Sequence, residues 1–459
     1  MTTRLSRAVA GRPAAPVRIV HLGVGNFFRA HQAWYTDQAP DAADWGIAAF
    51  TGRSAAMAEA LMPQDGLYTL ITRGQDGDSF GVISSLTAVH PAADHAAWLG
   101  YLSSPQLAIV TSTVTEAGYV RGADGGLDLA NPGVVADIAA LKADAAAPVG
   151  TYPGKLVAGL LARRAANAGK LTVLPCDNLS GNGEVAERVI KDLAAEVDPS
   201  LQAWIDENVA FGTTMVDRIT PATTDDHRAA VLAATGFEDA SPVPTEPFSE
   251  WVIQSEFPAG RPAWDAAGAR IVDDVIPFEK RKLALLNGSH SLMAYSATML
   301  GHETVADAIG DERVLGWVNE WWDEACRHIP LPADDLAAYR QALLDRYHNP
   351  NIRHALAQIA ADGSLKIPVR IVPTFKGELA AGRTPTGAAR VVGAWVQHLR
   401  GLGAPVKDAH GAEIVALGEG TLEESVAKVL GYLDADLAAD ARAKALVLDA
   451  AQELAKLAN

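Results

Sequence analysis

The chain has 459 residues, of which 49% are hydrophobic, and its 38 Lys and Arg against 55 Asp and Glu give a formal net charge of −17. This length predicts two or three globular domains, and the negative charge argues against nucleic acid or an anionic membrane as partner. The two cysteines, Cys176 and Cys326, lack metal-ligand spacing. We therefore predict a cytoplasmic protein without a metal.

The first sixteen residues contain Arg4, Arg7 and Arg12, no acid and no continuous apolar segment. This composition is not that of a secretory signal. An organelle-targeting leader is one reading of it, and we expect instead a short disordered arm before the first strand. No later apolar run reaches the length of a membrane span.

The first predicted strand, Val17–Leu22, is followed directly by a glycine turn and a helix near Ala30. Gly23 and Gly25 allow a tight turn and a close backbone approach to a pyrophosphate at the helix N-terminus. Phe28 stands where the usual fingerprint has its third glycine, so the motif is incomplete. Its order of strand, glycine turn and helix predicts a dinucleotide site.

The second predicted strand, Gly46–Phe50, is followed by Arg53 and Ser54, where the adenosine ribose would be recognised. A carboxylate at this place would bind the ribose hydroxyls of NAD, whereas Arg and Ser suit a 2′-phosphate. The cofactor is thus NAD or NADP, and the sequence leans toward NADP. Alternatively, Arg53 stacks beside the adenine or faces water.

Two further strands, Leu107–Thr111 and Leu171–Pro175, with a helical pattern between them, predict a doubly wound parallel sheet. Ligands collect at the carboxyl ends of such strands. The polar residues that follow these two strands are Thr113, Thr115, Glu116 and Asn178. We expect them to meet cofactor or substrate, although Asn178 could instead cap the next turn.

Beyond about residue 275 the strand signals fade and the spacing of apolar residues becomes helical. The clearest helical segments are Arg313–Cys326, Asp334–Arg346 and Glu423–Leu430. The predicted fold is α/β: a Rossmann-type domain over residues 1–274, followed by a mainly α-helical substrate and catalytic domain over 275–459.

A segment near the start of this second domain places an acid, an amine, an amide and an imidazole on one predicted helix. At about 100° per residue, Glu279, Lys282, Asn287 and His290 fall on one side of it. The apolar run 283–286 would desolvate the lysine, which suits a general base. The alternative is a helix with surface charges and one core histidine.

The segment 362–370 places two cations, Lys366 and Arg370, around Pro368. They could bind a substrate or a phosphate. An ordinary solvated loop is the other reading.

Together, four motifs resemble the mannitol dehydrogenase family, the polyol-specific long-chain dehydrogenases that also include fructuronate and tagaturonate reductases. The motifs are Gly23-Val-Gly25-Asn26-Phe27-Phe-Arg29-Ala-His31, Thr113-Val-Thr115-Glu116-Ala-Gly118-Tyr119, Cys176-Asp177-Asn178 and Lys282 through His290. The resemblance covers nearly the whole chain. Its most specific part is the lysine, the asparagine five residues later and the histidine three after that.

The resemblance implies a metal-independent NAD(P)-dependent oxidoreductase, in which Lys282 takes the proton of an alcohol while hydride passes to the nicotinamide. Asn287 and Asn178 would hydrogen-bond the oxygen as negative charge grows on it. His290 would orient the substrate, and Glu279 would gate proton exchange with solvent.

The resemblance also implies that Asp217 contacts substrate hydroxyls and that Lys366 lines the same pocket. The predicted cofactor contacts are Gly23, Gly25, Asn26, Phe27, Arg29, Arg53, Ser54, Thr113, Thr115 and Glu116. A monomer is slightly favoured.

The default substrate pair is D-mannitol and D-fructose, but the chain departs from the mannitol dehydrogenases at two places. Gln358 stands where they have an arginine eight residues before Lys366, and the second strand lacks their acidic residue. A keto-uronate is the alternative substrate, because the Arg370 guanidinium could grip a carboxylate. A non-catalytic nucleotide-binding regulator is the remote alternative.

Overall fold

The computed structural model describes residues 3–458, which form two compact units divided between Val275 and Ile276. All of its strands lie in the first unit. They are β1 (Thr3–Arg4), β2 (Val17–Leu22), β3 (Gly46–Phe50), β4 (Tyr68–Gly74), β5 (Gly77–Ile83), β6 (Leu86–His90), β7 (Ile109–Ser112), β8 (Leu171–Pro175), β9 (Val209–Phe211), β10 (Thr213–Asp217), β11 (Phe237–Glu238), β12 (Val243–Thr245), β13 (Glu250–Gln254) and β14 (Arg270–Ile271).

Six strands form a parallel sheet in the order β6-β3-β2-β7-β8-β9. Successive residues of β2 point to opposite faces, so that Ile19 and Val20 enter two separate hydrophobic cores. Burial on both faces explains why the predicted strands read as continuous apolar runs. The doubly wound sheet predicted from the sequence is confirmed.

The helices of this unit are α1 (Arg7–Ala10), α2 (Asn26–Ala30), α3 (Gln32–Gln38), α4 (Ala56–Leu61), α5 (His95–Leu102), α6 (Pro132–Ala143), α7 (Tyr152–Ala165), α8 (Asn182–Val197), α9 (Pro199–Asn208) and α10 (Asp225–Thr235). Most of them pack on the two faces of the six-stranded sheet, whereas α1 has no buried residue and α10 contacts β4, β5 and β11. The chain passes from β6 to β7 across the sheet, so its direction of winding reverses between β2 and β7. In open α/β sheets this reversal marks the ligand crevice.

Residues 3–10 form a short strand and a helix, so the disordered arm expected before the first predicted strand is wrong for the part of it that the structure describes. Strand β1 pairs in parallel with β11. The Arg7 guanidinium donates to the carbonyl oxygens of Ser84 and Leu86 at 2.9 and 2.8 Å. The pairing of β1 with a distant strand and the hydrogen bonds of Arg7 therefore hold this segment against the rest of the unit.

The second unit is helical, as predicted. Its elements are α11 (Ile276–Arg281), a π-helix (Lys282–Asn287), α12 (Gly288–Met299), α13 (Val305–Ile309), α14 (Glu312–Cys326), α15 (Ala333–Tyr347), α16 (Leu356–Ile359), α17 (Gly363–Arg370), α18 (Val372–Ala380), α19 (Thr386–Leu399), α20 (Gly411–Ala416), α21 (Leu422–Leu433), α22 (Ala435–Ala439) and α23 (Ala441–Leu457). Helix α19 is almost wholly buried and packs against α12, α14 and α23. Within residues 3–458, no helix is both long and apolar enough to cross a membrane.

Candidate active site

The glycine turn after β2 lies at the point where the winding of the sheet reverses. Gly23 has φ 108°, and a Cβ on it would lie 2.4 Å from the carbonyl oxygen of Thr113. A Cβ on Gly25 would meet nothing within 4 Å. The first glycine is therefore required by the approach of the segment after β7, and the second leaves the backbone open to a ligand.

His21 supports this turn from inside the unit, and sequence reasoning missed it. One ring nitrogen lies 2.6 Å from the carbonyl oxygen of Gly23 and 3.0 Å from Oγ1 of Thr113. The ring stacks on Phe28 with centroids 3.6 Å apart. Burial lowers the pKa of His21 to about 3, so the imidazole is neutral. This stacking gives Phe28 a structural role at the position of the missing third glycine.

Arg29 and Asn26 brace the turn. Arg29 is fully buried; its guanidinium donates to Oδ1 of Asn26 at 2.7 Å and to the carbonyl oxygen of Ser241 at 2.6 Å. The Asn26 amide in turn donates to the carbonyl oxygen of Pro221 at 2.8 Å. In this structure the fully buried Arg29 supports the turn, and its predicted contact with the cofactor stays a prediction. Phe27 is half-buried and stacks on His31.

The remaining predicted cofactor residues lie at or near the surface. Arg53 and Ser54 are exposed after β3, and Thr113 is half-buried after β7. Thr115 and Glu116 are exposed at the start of a 3₁₀ turn, Glu116–Tyr119, where Glu116 pairs with Arg121 at 2.9 Å. The open glycine turn, the accessible polar residues and the reversal point together fit a dinucleotide. Their individual contacts with it remain predictions.

Asn178 and Asp217 follow or end strands of the same unit. Asn178 is exposed and comes three residues after β8 ends at Pro175. Asp217 is the buried last residue of β10, opposite Glu250 in the antiparallel pairing with β13. Their contacts with substrate remain predictions.

The predicted catalytic helix contains a π-helical turn that the sequence did not reveal. Residues 282–287 form a π-helix between α11 and α12. At α-helical spacing Asn287 would lie about 140° from Lys282. Because π-helical hydrogen bonds join residues five apart, the π turn instead brings these two residues toward the same side.

Side chains from other helices satisfy the carbonyl groups of the π turn. Trp321 and Trp322 of α14 donate their indole N–H groups to the carbonyl oxygens of Ala284 and Leu285, each at 2.9 Å. Arg370 donates to the carbonyl oxygen of Asn287 at 3.3 Å. These donors stabilise the widened turn. They lie far from it along the chain, so no local sequence pattern indicates them.

Gly288 allows Trp321 to approach the π turn, and replacing it should disturb the site. In Gly288→Ala the new Cβ would lie 2.7 Å from Nε1 of the fully buried Trp321. We expect a loss of about 1–3 kcal/mol in the free energy of unfolding, together with reduced turnover. Gly316→Ala is the matched control, since its Cβ would meet nothing within 4 Å. Denaturant unfolding of both variants tests this, and equal stability of the two would contradict it.

His290 lies in the first turn of α12, among other basic groups. It is buried, and its ring centroid lies 5.0 Å from that of His354 and 5.2 Å from that of Tyr347. Burial holds the pKa of His290 well below its usual range, and the nearby His354, Arg346 and Arg370 lower it further. The imidazole is therefore neutral and can donate one hydrogen bond. His354 and Arg346 were not predicted from the sequence.

Lys366 and Arg370 lie on helix α17, which corrects the reading of this segment as a solvated loop. The Lys366 ammonium donates to the carbonyl oxygens of Ile359, at 3.1 Å, and Ala361. Arg370 donates to Oγ of Ser291 at 3.2 Å. Lys366 therefore closes the end of α16, while Arg370 lies beside Asn287 and His290.

No group of three or more His, Cys, Asp or Glu side chains in residues 3–458 is arranged to hold a metal ion. The polar groups on and beside the π turn are the amine of Lys282, the amide of Asn287, the imidazole of His290 and the guanidinium of Arg370. Such a set can exchange a proton and stabilise negative charge on an oxygen.

Two family models match the chain. The mannitol dehydrogenase Rossmann domain matches residues 17–266, and the mannitol dehydrogenase C-terminal domain matches residues 274–457. The D-mannonate oxidoreductase of Escherichia coli K12 is 39% identical over 395 residues, which cover 84% of this chain and 80% of that protein.

Two solved structures are similar over nearly the whole chain. A D-sorbitol dehydrogenase in substrate-free form has a TM-score of 0.90 at 31% identity, and the match covers 100% of both chains. The mannitol 2-dehydrogenase of Pseudomonas fluorescens, in a ternary complex with NAD and D-mannitol, has a TM-score of 0.77 at 33% identity, with 97% of this chain and 94% of that chain covered. The protein described here belongs to the mannitol dehydrogenase family.

Proposed function

We propose that this protein is a metal-independent oxidoreductase that interconverts a secondary alcohol of a polyhydroxylated sugar derivative and the corresponding ketone, with NAD or NADP as the hydride carrier. The observation that carries the proposal is the π turn, which brings Lys282 and Asn287 toward one side directly before the neutral His290. π turns inside α-helices occur frequently at functional sites.

Lys282 is the proposed general base. In the direction of oxidation its neutral amine accepts the hydroxyl proton, and in reduction its ammonium returns that proton to the oxygen. The nicotinamide, when bound, supplies the hydride chemistry at the same carbon. Proton and hydride leave the alcohol as separate species, so the reaction balances without a further oxidant.

Asn287 and His290 are the proposed hydrogen-bond donors to the reacting oxygen. As the proton leaves, negative charge grows on that oxygen, and preformed donors stabilise it more than they stabilise the bound alcohol. Asn178 of the first unit is a further proposed donor. Glu279, three residues before Lys282, is proposed to pass the proton between the amine and water.

Arg53 is the proposed determinant of cofactor choice. Its exposed guanidinium after β3 would pair with the 2′-phosphate of NADP, and no carboxylate stands there for the ribose hydroxyls of NAD. We expect Arg53→Ala to raise the KM for NADPH about tenfold and to leave the KM for NADH unchanged. Steady-state assays with both cofactors test this, and Arg12→Ala is the control, because Arg12 is exposed and its loss removes the same charge elsewhere. Equal effects on both cofactors would contradict a 2′-phosphate contact.

Two substrate classes are candidates, and the charge around His290 favours an acidic sugar. Arg370 and Arg346 both help to lower the pKa of His290, so they lie close enough to add to one positive field. Burial lowers the pKa of His354, so this imidazole is neutral and adds no charge. A guanidinium group binds a carboxylate through paired hydrogen bonds. We therefore place a keto-uronate and its hydroxy acid first, in line with the D-mannonate oxidoreductase at 39% identity. A neutral pair such as D-mannitol and D-fructose is the second candidate.

The test is the near-ultraviolet absorbance of NADH and NADPH with fructuronate, tagaturonate, fructose and other neutral ketoses. Oxidation of cofactor with the acids alone would support the first candidate, and oxidation with neutral ketoses the second. Absence of turnover with every ketone, while nucleotide still binds, would contradict the proposed reaction and favour a non-catalytic nucleotide-binding protein.

A further inference from the structure

Asp177 uses both carboxylate oxygens to hold the segment that follows the neighbouring strand. It lies between β8 and the exposed Asn178 and is 6% exposed. One carboxylate oxygen accepts the backbone N–H of Val114, and the other accepts the hydroxyl of Tyr119. Both donors belong to the segment 113–119, which contains the proposed cofactor contacts after β7.

The backbone at Asp177 is held just as firmly. The amide of the buried Asn182 donates to the carbonyl oxygen of Asp177 at 3.0 Å and to that of Thr214 at 2.9 Å. One residue earlier, the N–H of Cys176 donates to the carbonyl oxygen of Ser112 at 2.8 Å. Hydrogen bonds to the side chain and to the backbone of Asp177 therefore fix the peptide that leads into Asn178, although Asn178 itself is exposed.

Burial of the Asp177 carboxyl group is unfavourable for folding at neutral pH. Burial raises the pKa of Asp177 to about 7 even though Tyr119, Val114 and Ser112 act as hydrogen-bond partners. The folded state then binds the Asp177 proton more tightly than the unfolded chain does. Its contribution to stability is present at low pH and is lost as the pH rises through about 7. Stabilisation of the fold at neutral pH therefore does not account for a carboxyl group here.

The side chains around Asp177 and Tyr119 are packed too closely for either residue to adopt another position. Tyr119 is fully buried, and its ring meets that of Tyr152 edge to face with centroids 5.2 Å apart. The hydroxyl of Tyr152 accepts from Oγ of Ser112, the last residue of β7, at 3.3 Å. Two packed aromatic rings thus hold the Tyr119 hydroxyl beside the carboxylate, so that a shift of Asp177 is transmitted to the segment 113–119.

We infer that Asp177 is a positioning residue, which ties the segment 113–119 to Asn178 and so sets the place of the Asn178 amide relative to the bound cofactor. The inference rests on the proposed function, in which Asn178 donates to the reacting oxygen. An amide misplaced by about 1 Å can lower a rate by about 10²-fold, so a residue that never touches the substrate can control turnover.

A double-mutant cycle tests the inference. The variants are Asp177→Ala, Asn178→Ala and the double variant, each measured for kcat at saturating substrate and cofactor. We expect each single variant to lose about 10²-fold in kcat. If Asp177 acts through Asn178, the double variant should be no more than about threefold slower than Asn178→Ala. Losses that multiply in the double variant would overturn the inference.

Asp177→Asn is the conservative variant, and it also guards against misfolding of the alanine variant. An asparagine can accept from Val114 through its oxygen and donate to the Tyr119 hydroxyl through its nitrogen. We expect it to unfold at a temperature no lower than wild type and to keep kcat within about threefold. A folded Asp177→Asn that is as slow as Asp177→Ala would show that charge and not position matters, which also overturns the inference.

The cycle separates this inference from the proposed function. If Asn178→Ala turns over like wild type, Asp177 has no donor to position and the inference fails. The proposed reaction is then still judged by the turnover of the Lys282→Ala variant. If the Lys282 variant also turned over normally, the proposed function would fail as well.

Discussion

Lys282→Ala should lower kcat by about 10²- to 10⁴-fold while the affinity for the nucleotide stays unchanged. General acid–base catalysis by a positioned side chain contributes a factor of about this size. The loss should appear in kcat, because the proton is transferred in the transition state and not in the bound ground state. Stopped-flow absorbance of the reduced cofactor measures the first quantity, and fluorescence titration with NADH and NADPH the second.

Lys280→Ala is the matched control for this experiment. Lys280 is an exposed lysine on the same helix, two residues before Lys282. It changes the net charge by the same amount but should leave turnover unaffected. Wild-type turnover by Lys282→Ala, or an equal loss in the two variants, would remove Lys282 from the mechanism.

Arg370→Met should separate the two substrate classes. Methionine keeps much of the apolar volume of the side chain and removes the guanidinium group. For a keto-uronate or its hydroxy acid we expect kcat/KM to fall by about 10²-fold or more, because a charged partner would be left without its counterpart. For a neutral polyol we expect a smaller loss, of about tenfold, from the hydrogen bonds that Arg370 gives to Asn287 and Ser291.

The ratio of the two losses is therefore the informative quantity, since it cancels the shared effect on the π turn. Arg353→Met provides the control. Arg353 is exposed and directly precedes His354, and its replacement removes the same charge as the replacement of Arg370. It should reduce kcat/KM for either substrate by less than about threefold. Equal losses for acidic and neutral substrates in Arg370→Met would contradict recognition of a carboxylate by this arginine.

The parallel sheet could be predicted from local sequence because its signals are local. The buried strands Val17–Leu22, Gly46–Phe50 and Leu171–Pro175 are continuous apolar runs and were predicted with the bounds that the structure has. The helices α14 and α15 were likewise predicted within one residue at each end, because apolar residues recur along each with helical spacing. The small sheets were not predicted. Strands β1 and β10 to β14 are short and mostly pair with distant segments, and in the hairpin of β4 and β5 the second strand is largely exposed and lacks a continuous apolar run.

Within the site, residue types and spacing were enough to select Lys282, Asn287 and His290 as candidates. Their arrangement depends on contacts that no spacing encodes. The π turn is stabilised by Trp321 and Trp322. These side chains come from a helix more than thirty residues away along the chain.

Burial separated exposed cations from structural ones, although they look alike in the sequence. Arg29 and Arg53 were both predicted to touch the cofactor. The first is fully buried and braces the glycine turn, while the second is exposed. The sequence therefore specified the parallel sheet, the longer helices of the second unit and the chemical groups of the site, because periodicity and residue type are local properties. Packing between distant segments assigned each group its surroundings, because burial, distance and electric field exist only in the folded chain.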